Sequence, residues 1–315
     1  MSGSNWKIYL MLAFATASWG TAFIAGKFAT EIWHPYMVAF LRFFGASLLL
    51  YPYMKCKEPN PPKITKKDWG LFAVLGLSGC ALYNIFFFVA TQKAPIIKSA
   101  LVIAWNPILI SILAAWFLKE KITRSHVLGS ITATVGVVII IAKGSIHDLL
   151  ALRLEPIDGV LLGAVVCWAI YSVVGKVVLK KFSSVVSTTY ACLFGTLFLI
   201  PTAVWTFDWS DFQQATWVAW ISVLDTAVLV SVISFILYYQ GISRLGAAKA
   251  SIFINFMPLS AAILSIWILK EPVHTYLWIG GICVLIGVYI STGIFTKKKG
   301  SHVPAEINEL NSSVQ

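Results

Sequence analysis

Apolar runs with the length of a membrane-spanning helix recur ten times along this chain of 315 residues. A helix needs about 20 apolar residues to cross the hydrocarbon core of a bilayer, and the charged residues here gather in the short intervals between the runs. The sequence therefore predicts an all-α integral membrane protein with ten transmembrane helices. The predicted helices span residues 7–27, 35–54, 69–90, 96–117, 125–142, 157–178, 186–206, 217–240, 248–268 and 274–295.

The composition excludes an ordinary soluble domain. Apolar residues make up 58% of the chain and charged residues only 12%, whereas soluble domains carry about 25% charged residues. The net charge is +11, but the basic residues lie in loops, so we expect a lipid bilayer and not nucleic acid as the partner. The five cysteines show no CxxC or metal-ligand spacing, and the five histidines lie in predicted loops or at predicted helix ends. We therefore expect no metal site and no cofactor.

The distribution of lysine and arginine predicts the orientation. If the amino terminus is cytoplasmic, 17 of these residues lie on the inner side and six on the outer side. The positive-inside rule favours that arrangement. We therefore predict a multi-pass protein of the plasma (inner) membrane with both termini in the cytoplasm.

The two halves of the chain repeat each other. At an offset of 151 the matched pairs are Lys93 and Arg244, Lys98 and Lys249, Pro107 and Pro258, Trp116 and Trp267, Gly129 and Gly280, and Gly136 and Gly287. Nearer the start of each half the offset is 149, which pairs Trp19 with Trp168 and Pro52 with Pro201. Each half holds five predicted helices, an odd number, so the second half must enter the membrane inverted, as in alternating-access transporters. We predict a first repeat over residues 1–143, a linker over 144–156, a second repeat over 157–296 and a polar cytoplasmic tail over 297–315.

These repeated motifs resemble the drug/metabolite transporter superfamily, in particular its ten-span type with two EamA domains. The motifs that carry the resemblance are Trp19-Gly20 with Lys27, Leu41-Arg42-Phe43, and Lys98, Pro107 and Leu118-Lys119-Glu120, which return as Lys249, Pro258 and Leu269-Lys270-Glu271. The second half departs from this pattern, since Trp168 is followed by Ala169 and no arginine matches Arg42. The resemblance implies transport of amino acids, nucleotide-like compounds or other metabolites, often outward, and leaves the substrate open.

Two matched prolines, Pro107 and Pro258, are predicted helix breaks. A proline within a helix removes one hydrogen bond and clashes with the carbonyl four residues earlier, here at Ile103 and Ile254. Matched interruptions in two inverted repeats indicate a binding site at the membrane midplane. The alternative is a kink that only braces helix packing.

Polar and aromatic side chains at membrane depth are the candidate cavity residues. They are Trp19, Arg42, Tyr83, Asn84, Trp105, Asn106, Trp168, Tyr171, Tyr239 and Asn255. The amides can line a cavity or join helices by hydrogen bonds, and the aromatic rings can stack on a planar substrate or only pack. Arg42 can attract a carboxylate or phosphate, or it can pair with backbone carbonyls or snorkel toward the interface.

Three further sets of residues complete the candidates. Asp225 is the acid within an apolar run, and it is the proton-coupling candidate because a buried carboxyl can exchange a proton close to neutral pH; the alternative is a solvated position near the outer surface. Gly129 and Gly136 share one helix face, as do their counterparts in the second half, so they are predicted close-packing sites. Glu120 and Glu271 lie at helix junctions, where we expect capping or ion pairing.

Together these features predict a secondary transporter that exports amino acids or related small metabolites by alternating access. A membrane enzyme would need a catalytic cluster at membrane depth, and transport driven directly by ATP would need a Walker motif; the sequence contains neither. One alternative is a channel, which would need a selectivity filter or charged rings. Another is a non-transporting receptor or assembly protein, which would need a sizeable domain outside the membrane. The coupling ion and the oligomeric state stay open.

Overall fold

The computed structural model describes residues 3–93, 102–142, 155–269 and 275–291, and these residues form helices joined by short turns. In the first half the helices are α1 (Gly3–Ser18 and Thr21–Thr30), α2 (Pro35–Lys57), α3 (Lys66–Leu75, Gly76–Leu82 and Tyr83–Lys93), α4 (Asn106–Phe117) and α5 (Arg124–Ile141). In the second half they are α6 (Pro156–Val178), α7 (Ser184–Trp205), α8 (Trp217–Asp225, Thr226–Ile233 and Ser234–Leu245), α9 (Ala247–Ser251, Ile252–Asn255 and Phe256–Leu269) and α10 (Thr275–Ser291). A short helix, Trp209–Gln214, lies between α7 and α8.

Eight of these helices are long and apolar enough to cross a membrane, and α4 and α10 are shorter apolar helices. The predicted spans at 96–117 and 274–295 both begin or end among residues that lie outside the described ranges. The all-α membrane fold predicted from the apolar runs is therefore confirmed for the part of the chain that the structure describes.

Hydroxyl side chains fix the starts of four helices. Each accepts a hydrogen bond from a backbone N–H in the first turn, where the helix itself supplies no acceptor. The pairs are Thr65 with Asp68 in α3, Thr123 with His126 in α5, Ser183 with Val186 in α7 and Thr216 with Ala219 in α8. The sequence thus determines where these helices begin.

Wide π-helical turns interrupt α3 and α8 at matching places, over Gly76–Leu82 and Thr226–Ile233. Side chains bind the carbonyls of these turns. Asn84 Nδ2 donates to Gly79 O at 3.1 Å, and Ser234 Oγ donates to Leu229 O at 2.7 Å, each five residues back. The two bonds are related by an offset of 150 in the sequence. Such turns are rare in proteins, and those that occur are often found at functional sites. No pattern in the sequence predicted them.

Residues that match each other in the two halves also touch each other. The rings of Trp19 and Trp168 lie 5.0 Å apart between centroids, and Ser47 Oγ lies 3.0 Å from Thr196 Oγ1, a pair 149 residues apart. A side chain can contact its own counterpart only close to an axis that relates the two. These contacts have the pattern of a two-fold relation between the halves.

The glycine faces of α5 and α10 pack against each other. A Cβ atom at Gly136 would lie 2.6 Å from Gly280 O, and a Cβ atom at Gly287 would lie 2.6 Å from Gly129 O. Real Cβ atoms essentially never come that close. The prediction that these four glycines allow close helix packing is confirmed, and their reciprocal contacts agree with the two-fold pattern.

The positions of the two prolines correct the predicted geometry of the breaks. Pro107 follows a turn at residues 104–105 and lies in the first turn of α4, while Pro258 follows the 3₁₀ segment of α9 and lies in the first turn of its last part. The break therefore precedes each proline, because a missing N–H costs nothing in the first helical turn. The carbonyl of Ile254 is not free, since it accepts from the N–H of Phe256.

Candidate functional site

A cavity lies where helices from both halves meet, and it contains about 400 Å³ of empty space including its mouth. The first half contributes α1 to α4, and the second half contributes α6, α8 and α9. The lining residues are Trp19, Ala22, Arg42, Tyr83, Phe87, Asn106, Trp168, Val230, Phe235, Ile254 and Met257.

Five of the ten candidate cavity residues line this space, namely Trp19, Arg42, Tyr83, Asn106 and Trp168. Four others are buried behind the wall and do not reach it, namely Asn84, Tyr171, Tyr239 and Asn255. Trp105 does not belong to the cavity, because its side chain is 59% exposed at the turn before α4. Trp105 was predicted as a cavity residue, but the break at that turn leaves its ring exposed and outside the lining.

The lining residues that sequence reasoning missed are small or apolar, namely Ala22, Phe87, Val230, Phe235, Ile254 and Met257. The sequence around these residues does not distinguish a side chain in a cavity wall from one that packs between membrane helices. The proximity of Ile254 to the predicted break at Pro258 was the one available signal.

Aromatic rings form one wall of the cavity around the Trp19 and Trp168 pair. Trp19 Nε1 donates to Val230 O at 3.2 Å, which ties α1 to the π-helical turn of α8. The Trp168 ring lies 4.9 Å from Tyr83 and 5.6 Å from Phe235 between centroids. These contacts give the cavity a rigid apolar surface that suits an apolar or planar group.

Arg42 joins the two halves at their π-helical turns. The side chain is 4% exposed, its Nε donates to Ser231 Oγ at 2.7 Å, and its Nη1 donates to Asn84 Oδ1 at 2.9 Å. The ring of Phe235 lies 5.8 Å from the guanidinium carbon. Within the described ranges no carboxylate forms an ion pair with Arg42. The side chain is therefore a buried cation held by neutral groups, and it does not pair with backbone carbonyls or snorkel.

Asn84 orients Arg42 from behind. Its Nδ2 donates to Gly79 O and Cys80 O at 3.1 and 3.0 Å, so its Oδ1 must face the guanidinium. On the other side, Ser231 Oγ donates to Thr226 O at 2.9 Å and accepts from Arg42. Arg42 is thus held by Asn84, which is bound to the first π-helical turn, and by Ser231, which belongs to the second.

Among the described residues, two side-chain amide oxygens are buried without a hydrogen-bond partner, Asn106 Oδ1 and Asn255 Oδ1. Both side chains are 1% exposed. Asn255 Nδ2 donates to Ile252 O at 3.1 Å, whereas Asn106 lines the cavity. A buried acceptor that stays unpaired costs about 1–3 kcal/mol, so Asn106 is suited to a donor group on a bound molecule.

Asp225 lies beside the cavity wall and does not line it. Its half-buried carboxylate accepts from Thr21 Oγ1 at 2.7 Å and so joins α8 to α1. The residue ends the first part of α8, immediately before the π-helical turn. Its role in proton coupling stays a prediction.

Glu120 caps the start of α9. Its Oε1 and Oε2 atoms accept from the backbone N–H groups of Ala247 and Ala248 at 2.9 and 3.1 Å. Beside it, Lys176 Nζ donates to the carbonyl of Ile242 at the end of α8, at 2.9 Å. The predicted capping role is confirmed for Glu120, and Glu271 lies outside the described residues.

His126 is a buried polar residue that the sequence analysis left among the helix ends. It is 2% exposed, and its Nε2 and Nδ1 atoms lie 2.9 Å from Ser111 Oγ and Ser291 Oγ. Ser111 Oγ in turn donates to Pro107 O at 2.6 Å. The imidazole therefore joins α4, α5 and α10 close to the first helix break.

Two related helical halves around a shared, partly polar cavity define a membrane transporter. The comparison with known families agrees: the chain belongs to the EamA-like transporter family, which matches residues 6–142 and again residues 156–293. The protein is therefore a multi-pass membrane transporter and not an enzyme.

Similar proteins support the same class. The chain is 31% identical over 303 residues to the uncharacterized transporter YetK of Bacillus subtilis (strain 168), covering 94% of this chain and 89% of that one. It is 26% identical over 225 residues to a protein of Streptantibioticus cattleyicolor named as a probable terminal-alkyne amino-acid exporter, covering 71% and 73%. A solved structure titled "Crystal structure of protein" superposes with a TM-score of 0.74 at 18% identity over 92% of this chain and 99% of that one, and it shows the fold alone.

Proposed function

We propose that this protein is a secondary transporter that exports amino acids or related small metabolites by alternating access. The observation that carries the proposal is the cavity lined by residues of both halves, with the buried cation Arg42 and the unpaired oxygen of Asn106 among aromatic rings. A site of this kind offers polar contacts at fixed points and an apolar surface between them.

The arrangement of the halves supports alternating access. Trp19 of the first half and Trp168 of the second meet in the wall of the cavity, so a rocking motion of one half against the other would open the site to one side and close it to the other. The matched π-helical turns of α3 and α8 border the same space and are suited to absorb such a motion.

Amino acid export is supported by one relative. The similar Streptantibioticus protein is named as a probable terminal-alkyne amino-acid exporter. The cavity of this chain is lined by a charged, an amide and several aromatic side chains, which are the kinds of contact that an amino acid requires. A proton moving through Asp225 is the proposed driving ion. This carboxylate lies next to the π-helical turn, accepts a hydrogen bond from the Thr21 hydroxyl and interacts electrostatically with Arg42, which belongs to the cavity wall.

We also propose a plasma-membrane location with both termini in the cytoplasm, and the predicted repeat limits at 1–143 and 157–296. The lysine and arginine count supports the orientation. The contact between Glu120 and the start of α9 supports a common side of the membrane for these two loops, as the predicted topology requires.

Counterflow in proteoliposomes tests this proposal. Liposomes that contain the purified full-length protein are preloaded with unlabelled amino acids, and uptake of the labelled amino acid is followed. We expect transient accumulation above the level in protein-free liposomes. A steady electrical current without any counterflow would instead identify a channel and overturn the proposal.

A further inference from the structure

We propose that the cavity binds an apolar amino acid as a zwitterion, with its carboxylate on the Arg42 guanidinium and its ammonium group on Asn106 Oδ1. The inference rests on the proposed function and names the substrate class of the same cavity.

Arg42 supplies the carboxylate site. A guanidinium has five N–H donors, and the described contacts use Nε and Nη1, which donate to Ser231 Oγ and Asn84 Oδ1. Both of these partners are neutral. The carboxylate of Asp225 attracts the guanidinium electrostatically, but among the described residues it forms no ion pair with the arginine. A buried cation that has no carboxylate in direct contact is costly. A carboxylate in the cavity would provide that charge, with a planar shape that fits two parallel hydrogen bonds from arginine.

The charge of the wall favours a carboxylate over a phosphate. Arg42 is the one formally charged side chain among the described residues that line the cavity. A phosphate monoester carries about −1.5 to −2 charges at pH 7, which a single buried cation would leave partly uncompensated. A carboxylate carries one charge and is matched by one guanidinium.

Asn106 supplies the second polar contact. Its side chain is 1% exposed, and its Oδ1 atom accepts no hydrogen bond. Buried acceptors are nearly always paired, and this one lies in the wall of the cavity. An ammonium group is a donor without acceptor capacity, so it complements the free oxygen and also brings the net charge of the bound molecule to zero.

The remaining wall fits an apolar side chain. Phe87, Phe235 and Met257 complete the lining beside the Trp19 and Trp168 pair. Among the described lining residues, Asn106 and Tyr83 supply the amide and the hydroxyl and Trp168 supplies an unpaired indole N–H, so a polar side chain on the substrate would find few partners. The position 149 residues after Arg42 is Ala191, which is uncharged and buried. Because only the first half supplies an arginine, the substrate binds in one orientation, although the two halves are related by a two-fold pattern.

Competition in the counterflow assay tests the assignment on the full-length protein. Labelled L-phenylalanine is the probe, and the competitors are L-phenylalanine, L-leucine, L-phenylalaninamide, which lacks the carboxylate, and 3-phenylpropionate, which lacks the ammonium group. We expect the amide and the deaminated acid to compete about 10- to 100-fold more weakly than the amino acid, because each loses one charge-assisted contact. In R42Q the penalty for the amide should disappear, and in N106L the penalty for the deaminated acid should disappear. W105F is the control, since Trp105 lies outside the cavity.

The outcomes separate this inference from the proposed function. Equal competition by the amino acid and its amide would overturn the role of Arg42, and the wild-type series decides this even if a variant fails to fold. If nucleosides or amines give counterflow and neither amino acid competes, the zwitterion assignment is wrong while the transporter stands. If none of these solutes gives counterflow, the proposed function fails instead.

Discussion

The two π-helical turns, Gly76–Leu82 in the first half and Thr226–Ile233 in the second, have the same type of backbone conformation. They differ in the charged side chains that lie next to them. Asn84 and Ser234 hold carbonyls at matching places. Only the first half adds a cation, because Arg42 in α2 has no counterpart in α7. Only the second half adds an acid, because Asp225 precedes its turn where Leu75 precedes the other.

The comparison separates the scaffold from the chemistry. The backbone features that recur are the π-helical turns, the glycine faces and the breaks before the prolines, and the proposed mechanism requires such features in both halves. The two charged side chains that do not recur, Arg42 and Asp225, lie at the cavity and beside it. Unmatched residues within matched helices are suited to bind an asymmetric molecule, such as the proposed amino acid, in one orientation.

We expect the largest effect, and the largest difference between the two halves, from substitutions at the matched residues Asn84 and Ser234. N84L removes a partner of Arg42, so we expect apparent affinity for the transported amino acid to fall about 10- to 100-fold, and the preference for acid over amide to weaken. S234A loses one backbone contact and should lower the free energy of unfolding by about 1 kcal/mol with near-normal affinity. N84D keeps the acceptor but supplies a competing carboxylate to Arg42, so its affinity should also fall. Equal losses of affinity in N84L and S234A would contradict the asymmetry.

The acid found only in the second half gives the next test. D225N keeps the shape of the side chain but cannot exchange a proton, so we expect pH-gradient-driven accumulation to fall to the level without a gradient while counterflow persists. T21V removes the hydrogen bond to the carboxylate but keeps the acid, and it should retain gradient-driven accumulation. Transport is measured in liposomes with an imposed pH gradient. Full accumulation by D225N would show that Asp225 is not the coupling site.

Substitutions in the glycine faces of α5 and α10 test whether matched positions in the two halves contribute equally to stability. G136A and G280A each place a methyl group against backbone atoms of the partner helix, and overpacking of this kind costs about 1–3 kcal/mol. Because the contacts are reciprocal, the two variants should lose similar stability. G70A is the control, since nothing lies within 4 Å of its added Cβ. Thermal unfolding in detergent measures all three, and a neutral G136A would be inconsistent with the close packing of α5 and α10.

Loss of the cap at α9 should have the smallest effect. E120A leaves the N–H groups of Ala247 and Ala248 without their acceptors, and loss of a cap costs about 0.5–2 kcal/mol. E120Q keeps one acceptor oxygen and should recover part of the stability. The same thermal assay compares them, and an E120A protein as stable as the wild type would show that water replaces the cap without cost.

Much of the scaffold was predictable because it follows from length and duplication. Apolar runs determine the helices, and the offsets of 149 to 151 between the two halves identify Trp19, Trp168 and the four glycines from the sequence alone. The apolar runs and the repeat offsets are reliable because each of them involves many residues. The candidate residues Arg42 and Asn106 were identifiable because polar groups are rare at membrane depth.

The rest depends on tertiary contacts that no local pattern encodes. The π-helical turns arise where side chains such as Asn84 bind carbonyls five residues back, and nothing in the composition marks such a turn. Trp105 was misplaced because the chain turns at 104–105 and rotates the ring out of the interior. His126 was overlooked because a helix start in sequence can still be buried between α4 and α10.

The most direct test of alternating access through the shared cavity is the accessibility of one cysteine in its wall. A22C in a background without the five native cysteines places a small thiol in the lining, and A133C, buried outside the lining, is the control. A membrane-impermeant thiol reagent is added to one side or the other of oriented vesicles. We predict that A22C reacts from both sides, that bound substrate protects it, and that A133C reacts from neither. Reaction of A22C from one side only, under all conditions, would contradict the account.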